Sequence, residues 1–245
     1  MKELINQGRN FLKANWHNLE GTATDQMRGV PVPEKQKPVP EGASVIKLIP
    51  REELKPNAVP LYEAIENRRS RRRFKKDPVS LDDLSYLLWA TQGVKREGAH
   101  FTLRPVPSAG ARHSFETYLC ILRCEGLEPG LYRYLPLDHG LVHLPDQQPE
   151  KDRIAEGLLG QTFGAAAVFI WTAVPYRMEW RYSAVSHKII AIDVGHLCQN
   201  LYLAVEAVEC GTCAIGAYNQ RVMDEIVGAD GEEEFVIYAA PVGKV

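Results

Sequence analysis

The sequence predicts an α+β fold, and three observations carry that prediction. The chain has 245 residues, of which 45% are hydrophobic and 24% charged, enough for a substantial core in an ordinary soluble globular protein. Some stretches read as short strands and others repeat apolar residues at helical spacing. The two kinds are mixed without the strict alternation of a doubly wound sheet. The formal net charge of −2 speaks against a general nucleic-acid coat, which needs a broad basic surface. No internal repeat is present.

Residues 1–59 differ from the rest and are expected to form an N-terminal arm, with residues 60–245 as the folded domain. "MKELINQGRNFLKANW" is polar and amphipathic, a short helix without the apolar centre of a signal peptide. "VPVPEKQKPVPEG" holds four prolines and reads as an extended linker. The arm is too poor in apolar residues to fold alone and is expected to lie along something else, a second subunit being one option. No apolar run is long enough to span a bilayer. Five cysteines, odd in number and widely placed, fit reduced thiols. A cytoplasmic protein is the expectation.

Regular structure begins at Pro60. "PLYEAIENR" sets Leu61, Ala64 and Ile65 on one helical face, with Pro60 suited to the start. "SLDDLSYLLWATQG" follows, with Ser80 and Asp83 as a capping box, a stripe of Leu81, Leu84, Leu87 and Leu88, and Gly93 as its stop. "FETYLCILR" alternates as a strand, and "GLYRYLPLDHGLVHL" reads as a hairpin turning at Asp138–Gly140. "KDRIAEGLLG" is a short helix and "AAAVFIWTAV" a buried strand. "IDVGHLCQNLYLAVEAVECG" is the longest helix. Val194, Leu197, Leu201, Ala204 and Val208 recur on it at helical spacing, and small or apolar residues continue around it, so it is expected at the centre. "FVIYAAPVG" closes the chain as a strand.

"ENRRSRRRFKKD" places seven basic residues among the nine positions from Arg68 to Lys76, with no acid between them. Three readings are open: a solvated helix end, a nucleic-acid patch, or a phosphate site. A single aromatic, Phe74, weakens the second. Arginine forks bind phosphate bidentately and Ser70 adds a hydroxyl, which favours the third. If a helix gives way to a strand here, Ser70, Arg72 and Phe74 turn to one face and Arg71 and Arg73 to the other. Only some of these cations then reach one ligand.

"AIENRRSRRRF" resembles the opening motif of the nitroreductase family of flavin enzymes, whose helix end and following strand grip the phosphate of FMN. "RPVPSAGARHSFETYLCIL" resembles the family's Pro-Ser-Ala-Gly segment against the flavin and the strand after it. "DVGHLCQNLYLAVEAVECGTCAIGAY" resembles the long central helix and its small-residue turn, and "YAAPVGK" the closing strand. These four blocks stand in the family's order over about residues 60–245. The Pro-Ser-Ala-Gly and Gly-His forms, with the arm, resemble the SagB/ThcOx-type branch, which includes azoline dehydrogenases of peptide pathways.

The resemblance implies a central, mainly antiparallel sheet flanked by helices, a homodimer with flavin sites at the subunit interface, and noncovalent FMN. It places the phosphate on Arg68, Arg69, Ser70 and Arg72, with Lys244 at the far end. The ring lies against Pro107, Ser108, Ala109 and Gly110, and against Ala214, Ile215 and Gly216, where small residues let backbone approach. A backbone N–H of Ile215 or Gly216 faces the flavin N5. The implied activity is two-stage hydride or electron transfer to a small-molecule acceptor, with NAD(P)H as a visiting donor, because no second glycine-rich fingerprint is present. Two rival functions are a flavin dehydrogenase of a peptide or azoline-type substrate in a biosynthetic pathway and a non-enzymatic module that binds a phosphate ligand.

One departure from the branch concerns catalysis. Its azoline dehydrogenases have an adjacent Lys-Tyr pair fifteen residues before the Gly-His histidine. Counting back from His196 gives Arg181 and Tyr182. Arginine is no base near neutral pH, so azoline oxidation is disfavoured and Arg181 is read as an anchor for an acidic or carbonyl substrate, or else as a partner of Glu179. Cys210 and Cys213 form a C-x-x-C that ends a helix, unlike a thioredoxin motif, so packing is the preferred reading and no metal site is expected. His113 is a candidate for the flavin edge, and His196 for a structural hydrogen bond.

Overall fold

The computed structural model describes residues 1–145 and 151–245. The arm holds α1 (Lys2–Phe11) and β1 (Val45–Lys47). Next come α2 (Leu61–Asn67), α3 (Leu81–Gln92), β2 (Arg96–Glu97), β3 (Thr102–Leu103), β4 (Phe115–Ile121), β5 (Gly130–Leu135), β6 (Gly140–His143) and α4 (Lys151–Gly157). The chain continues through β7 (Ala167–Ala173), α5 (Tyr176–Tyr182), α6 (Ser186–Ala204), β8 (Cys210–Thr212), α7 (Gln220–Val227) and β9 (Phe235–Lys244).

Seven strands form one sheet in the order β1-β6-β5-β4-β7-β9-β8, and each neighbouring pair is antiparallel. Side chains alternate between two cores, as a two-residue period requires. Leu119 and Ile121 of β4 and Phe169 and Trp171 of β7 join α3 and α6 on one face. Tyr118 and Cys120, with Val168 and Ile170, join α4 and α7 on the other. Helices on both faces explain why every residue of β4 and β7 is buried. On β9 the alternation slips, because Trp171 pairs with Tyr238 and Thr172 with Val236, leaving Ile237 as the extra residue of a bulge.

The capping box of α3 forms: Asp83 N–H donates to Ser80 Oγ at 3.0 Å and Ser80 N–H to Asp83 Oδ2 at 3.4 Å. Helix α6 begins at Ser186, earlier than the periodicity suggests, and ends in a 3-10 turn over Val205–Val208. Helix α2 departs from expectation. Ala64 is buried, but Leu61 is 67% exposed and Ile65 57%, so most of its apolar face is left open to solvent.

The arm lies on its own chain. β1 is an edge strand of the sheet and Leu48 joins the core. Lys37 pairs with Glu234, which also accepts from Tyr118 Oη at 3.0 Å and Thr172 Oγ1 at 2.7 Å. Further back, Gln26 N–H donates to the Trp180 carbonyl and Trp180 Nε1 to the Val30 carbonyl, both at 2.9 Å, tying residues 26–30 to α5.

Candidate active site

The basic run begins where α2 ends, with Arg68 as the residue after its last turn. Ser70 then bridges to Thr212 of β8, and Arg71 N–H donates to the Thr212 carbonyl at 2.9 Å. From there the chain crosses the sheet edge on the α4/α7 side. Two glycines make that crossing possible. A Cβ on Gly211 would lie 2.6 Å from Arg71 Cγ, and one on Gly243 would lie 2.8 Å from Phe74 Cβ. The aliphatic stem of Arg71 and the ring of Phe74 therefore occupy one side of the edge, while Ser70 looks back toward α6.

Ser70 Oγ and Tyr202 Oη are 2.9 Å apart, and the same Tyr202 Oη accepts from Ala214 N–H at 2.8 Å. The Arg68 guanidinium sits 5.4 Å from the centre of the Tyr202 ring, a cation–π contact. One α6 tyrosine thus joins the basic turn to the Ala214–Gly216 turn. Among the described residues no acid pairs with Arg68, Arg69, Arg71, Arg72 or Arg73. Arg69, Arg72 and Arg73 are exposed. Cations brought together without counter-charges repel one another, which suits an anionic ligand.

Two expected contacts look different in the structure. Lys244 Nζ is 2.7 Å from Asp83 Oδ2 and donates to the Val208 carbonyl at 2.8 Å, so it joins the end of β9 to the start of α3. Ile215 N–H donates to the Ala239 carbonyl at 2.7 Å and is spent in the sheet. With Ala214 N–H given to Tyr202, the exposed Gly216 supplies the remaining N–H of that turn.

The Pro107–Gly110 segment is built on a different side of α6. Asp193, buried, accepts from Ala109 N–H at 3.1 Å, and Ser108 Oγ accepts from His113 N–H at 3.0 Å. Burial raises the Asp193 carboxyl from its ordinary range, while hydrogen bonds from Ser108 and Ala109 oppose the shift. Gly110, Ala111 and His113 all have left-handed φ, at 59°, 52° and 48°. Such conformations cost energy in non-glycine residues and cluster at functional turns. A Cβ on Gly110 would come within 2.7 Å of Tyr182 Oη and 2.9 Å of Arg181 Cδ, so the turn admits glycine for want of space as well as for φ. The structure therefore brings Arg181 and Tyr182 to the Pro-Ser-Ala-Gly turn. It does not bring that turn to Ser70 within one chain. Asp193 and Tyr202 are nine positions apart on α6, which turns them to opposite sides at about 100° per residue and separates them by about 13 Å along the axis.

His113 does not face an open edge. It is buried, its Nε2 lies 3.1 Å from the Thr102 carbonyl, and burial, helped by the charge of Arg104, pushes its pKa down to about 3. The neutral ring donates from Nε2 to that carbonyl. His196 lies 3.9 Å from Asp193. Arg181 does not pair with Glu179, whose Oε1 is 2.8 Å from His187 Nε2; its guanidinium lies 5.6 Å from the Tyr182 ring centre. Cys210 and Cys213 are free and buried. Burial pushes Cys210 up to about 12, which makes a reactive thiolate at neutral pH unfavourable. No group of three or more metal-ligating side chains occurs among the described residues, and no helix among them is long and apolar enough to cross a membrane.

Tyr202 and Asp193 were missing from the expected site. Both sit at buried α6 positions, where the helical period alone marks them as core. The usable signal is a polar group on an otherwise apolar stripe, which needs a partner when buried.

Comparison with known proteins agrees with the fold. The family model described as "Nitroreductase family" matches residues 65–244. The Methanocaldococcus jannaschii protein named "Putative nitroreductase MJ1384" is 30% identical over 187 residues, covering 76% of this chain and 91% of that protein. Among solved structures, one titled as a putative nitroreductase from Ralstonia eutropha is 25% identical, with a TM-score of 0.63, covering 86% of this chain and 98% of that one. A chain of the E. coli microcin synthetase McbBCD complex with truncated pro-MccB17 bound has a TM-score of 0.62 at 19% identity, covering 85% of this chain and 78% of that one; at that identity the likeness concerns the fold. With the family's fold, its blocks in order and a family match over most of the chain, this protein belongs to the nitroreductase family.

Proposed function

We propose that the protein is an FMN-dependent oxidoreductase of the SagB/ThcOx-type branch, working as a homodimer whose two sites are each shared between subunits. The observation that carries this reading is Tyr202 Oη, which links the acid-free basic turn at Ser70 to the small-residue turn at Ala214. The residues fit the cofactor. A phosphate monoester carries close to two negative charges near neutral pH, and Arg68, Arg69, Ser70 and Arg72 offer cations and a hydroxyl without competing acids. Lys244 contributes by fixing the floor of the site through Asp83. The flat ring needs backbone at close range, which Ala214, Ile215 and Gly216 allow, and Gly216 N–H is the donor available to orient it.

The second wall comes from the partner subunit. The exposed face of α6 holds Ala191, Ile192 and Gly195, and nothing in the chain lies within 4 Å of a Cβ built on Gly195. Two copies packed through these residues, with the exposed His196 and Gln199 beside them, would bring the Pro107–Gly110 turn of each toward the basic turn of the other. When bound, FMN supplies a site that accepts a hydride from one substrate and returns it, or electrons, to another in a separate half-reaction. The side chains bind, orient and handle protons. Tyr182 Oη, at the Gly110 turn, is placed to give a proton to the acceptor, and Arg181 to hold an anionic or carbonyl group on it. Arginine in place of the branch's lysine disfavours azoline oxidation. NAD(P)H is the proposed donor, arriving and leaving between half-reactions.

Anaerobic mixing of the FMN-loaded protein with NADH or NADPH tests this reading. Bleaching of the visible flavin band, reversed by an added nitroaromatic or quinone, is the expected result. A protein that holds FMN yet is bleached by neither nicotinamide refutes the proposed donor, and one that cannot be loaded with FMN refutes the function.

A further inference from the structure

We propose that Trp16 of the N-terminal arm is a specificity residue of the Arg181–Tyr182 site, and that this site takes a planar aromatic acceptor bearing a carboxylate. The inference rests on the oxidoreductase reading but concerns a segment outside the family match, which begins at residue 65. Trp16 stands edge-on to Tyr182, with ring centres 5.8 Å apart and planes at 87°. Two perpendicular aromatic walls form a corner into which a flat ring can stack on one and abut the other. Trp16 is 50% exposed, so much of its ring is open to a ligand.

The corner carries a charge. Arg181 lies over Tyr182, packs its stem against Gly110 and has no acid partner among the described residues. The neighbouring acid, Glu179, is engaged by His187. An exposed guanidinium beside aromatic rings is suited to a carboxylate, which it can bind through two parallel hydrogen bonds. The placement of Trp16 is built. Asn15 adopts a left-handed conformation and its side chain caps the Asn10 carbonyl at 2.9 Å, turning the chain out of α1 into the 3-10 turn that presents Trp16. Tyr176 Oη donates to Asp25 at 2.9 Å, and the Trp180 contacts described above fasten the following residues to α5. The end of α5 is itself strained, with Ser183 at φ 46° and ψ −136° immediately after Tyr182. The arm thus reaches the candidate substrate residues, which the domain alone leaves open.

Equilibrium dialysis of the purified protein against 4-nitrobenzoate and 4-nitrobenzyl alcohol, without any donor so that neither is consumed, tests this. The benzoate is expected to bind about tenfold more tightly than the alcohol, the ratio one charged hydrogen bond supplies. Trp16→Ala should weaken both ligands by about tenfold, in keeping with loss of an aromatic contact and its buried area, whereas Trp16→Phe should keep most of the affinity. Arg181→Gln should weaken the benzoate alone. If Trp16→Ala lowers the thermal midpoint, Trp16→Leu replaces it, since leucine keeps apolar bulk and loses the ring. Benzoate binding unchanged by Trp16→Ala, or equal in the leucine and phenylalanine variants, overturns the proposal, as does an absence of binding. The visible flavin band, read on the same samples, separates the two readings: its absence counts against the FMN function, while dialysis alone decides on Trp16.

Discussion

At the scale of single residues, the site depends on hydrogen bonds that hold turns as much as on charges. Tyr202 Oη and Asp193 each secure a backbone N–H of a small-residue turn, and neither would reveal itself by charge clustering. His113 belongs with them, and its burial has a consequence for stability. Its folded pKa is depressed to about 3, against about 6.5 in an unfolded chain. The unfolded state therefore takes up a proton first as the pH falls. The stability this group contributes is complete above about pH 6.5 and is lost progressively toward pH 3, at about 1.4 kcal/mol per pH unit. Burial also lowers the pKa of His139, so a difference between proteins is needed. Urea unfolding at pH 7.5 and 5.5 should show the parent losing roughly 1 kcal/mol more than His113→Asn, a substitution whose residue tolerates left-handed φ. Equal losses would show that His113 is not shielded as described.

At the scale of elements, the glycine pair under the basic run is the most constrained feature. Phe74 has its Cβ where a Gly243 side chain would be, and a Cβ rooted on backbone cannot swing aside. Gly243→Ala should cost about 1–3 kcal/mol by overpacking and weaken FMN binding with it, because the displaced segment carries Arg72. Thermal melting and flavin titration together would check this; a fall in stability with unaltered FMN affinity would uncouple the crossing from the site. The sequence announced several elements clearly. Ser80 with Asp83 gave the start of α3, and the alternation of Phe115–Ile121 gave β4, though its burial on both faces comes from helices no local pattern reveals. β1 and β8 are three residues each, too short for a period. α7 is absent from the expected elements although its signals exist: Asn219 caps it, Val222, Met223, Ile226 and Val227 form its buried stripe, and Gly228 ends it in a left-handed conformation. For α2 the stripe was legible, but which surface it meets was not.

At the scale of the molecule, the two turns lie apart across α6 within one chain, so the proposed site needs a second copy to close it. The expectation of a shared site came from family likeness, and the nine-residue spacing of Asp193 and Tyr202 gives it a geometric reason. In the proposed twofold dimer each basic turn would meet the partner's Pro107–Gly110 turn. Arg72→Ala and Gly110→Ala injure opposite walls, so each alone should hold FMN poorly. Unfolding and refolding the two together in equal amounts should restore about a quarter of the sites, since half the dimers are mixed and each has one intact site. Recovery no greater than the sum of the separate variants would place both walls in one subunit.

The most direct measurement compares FMN with riboflavin, which has the same ring and lacks the phosphate, by flavin titration of the parent protein and of Arg72→Ala. The parent should bind FMN far more tightly than riboflavin. Arg72→Ala should lose about 1.5–3 kcal/mol toward FMN, the worth of a charged hydrogen bond, and nothing toward riboflavin. Equal affinities for the two flavins in the parent, or an equal loss for both in the variant, would contradict a phosphate held at the Arg68–Arg72 turn.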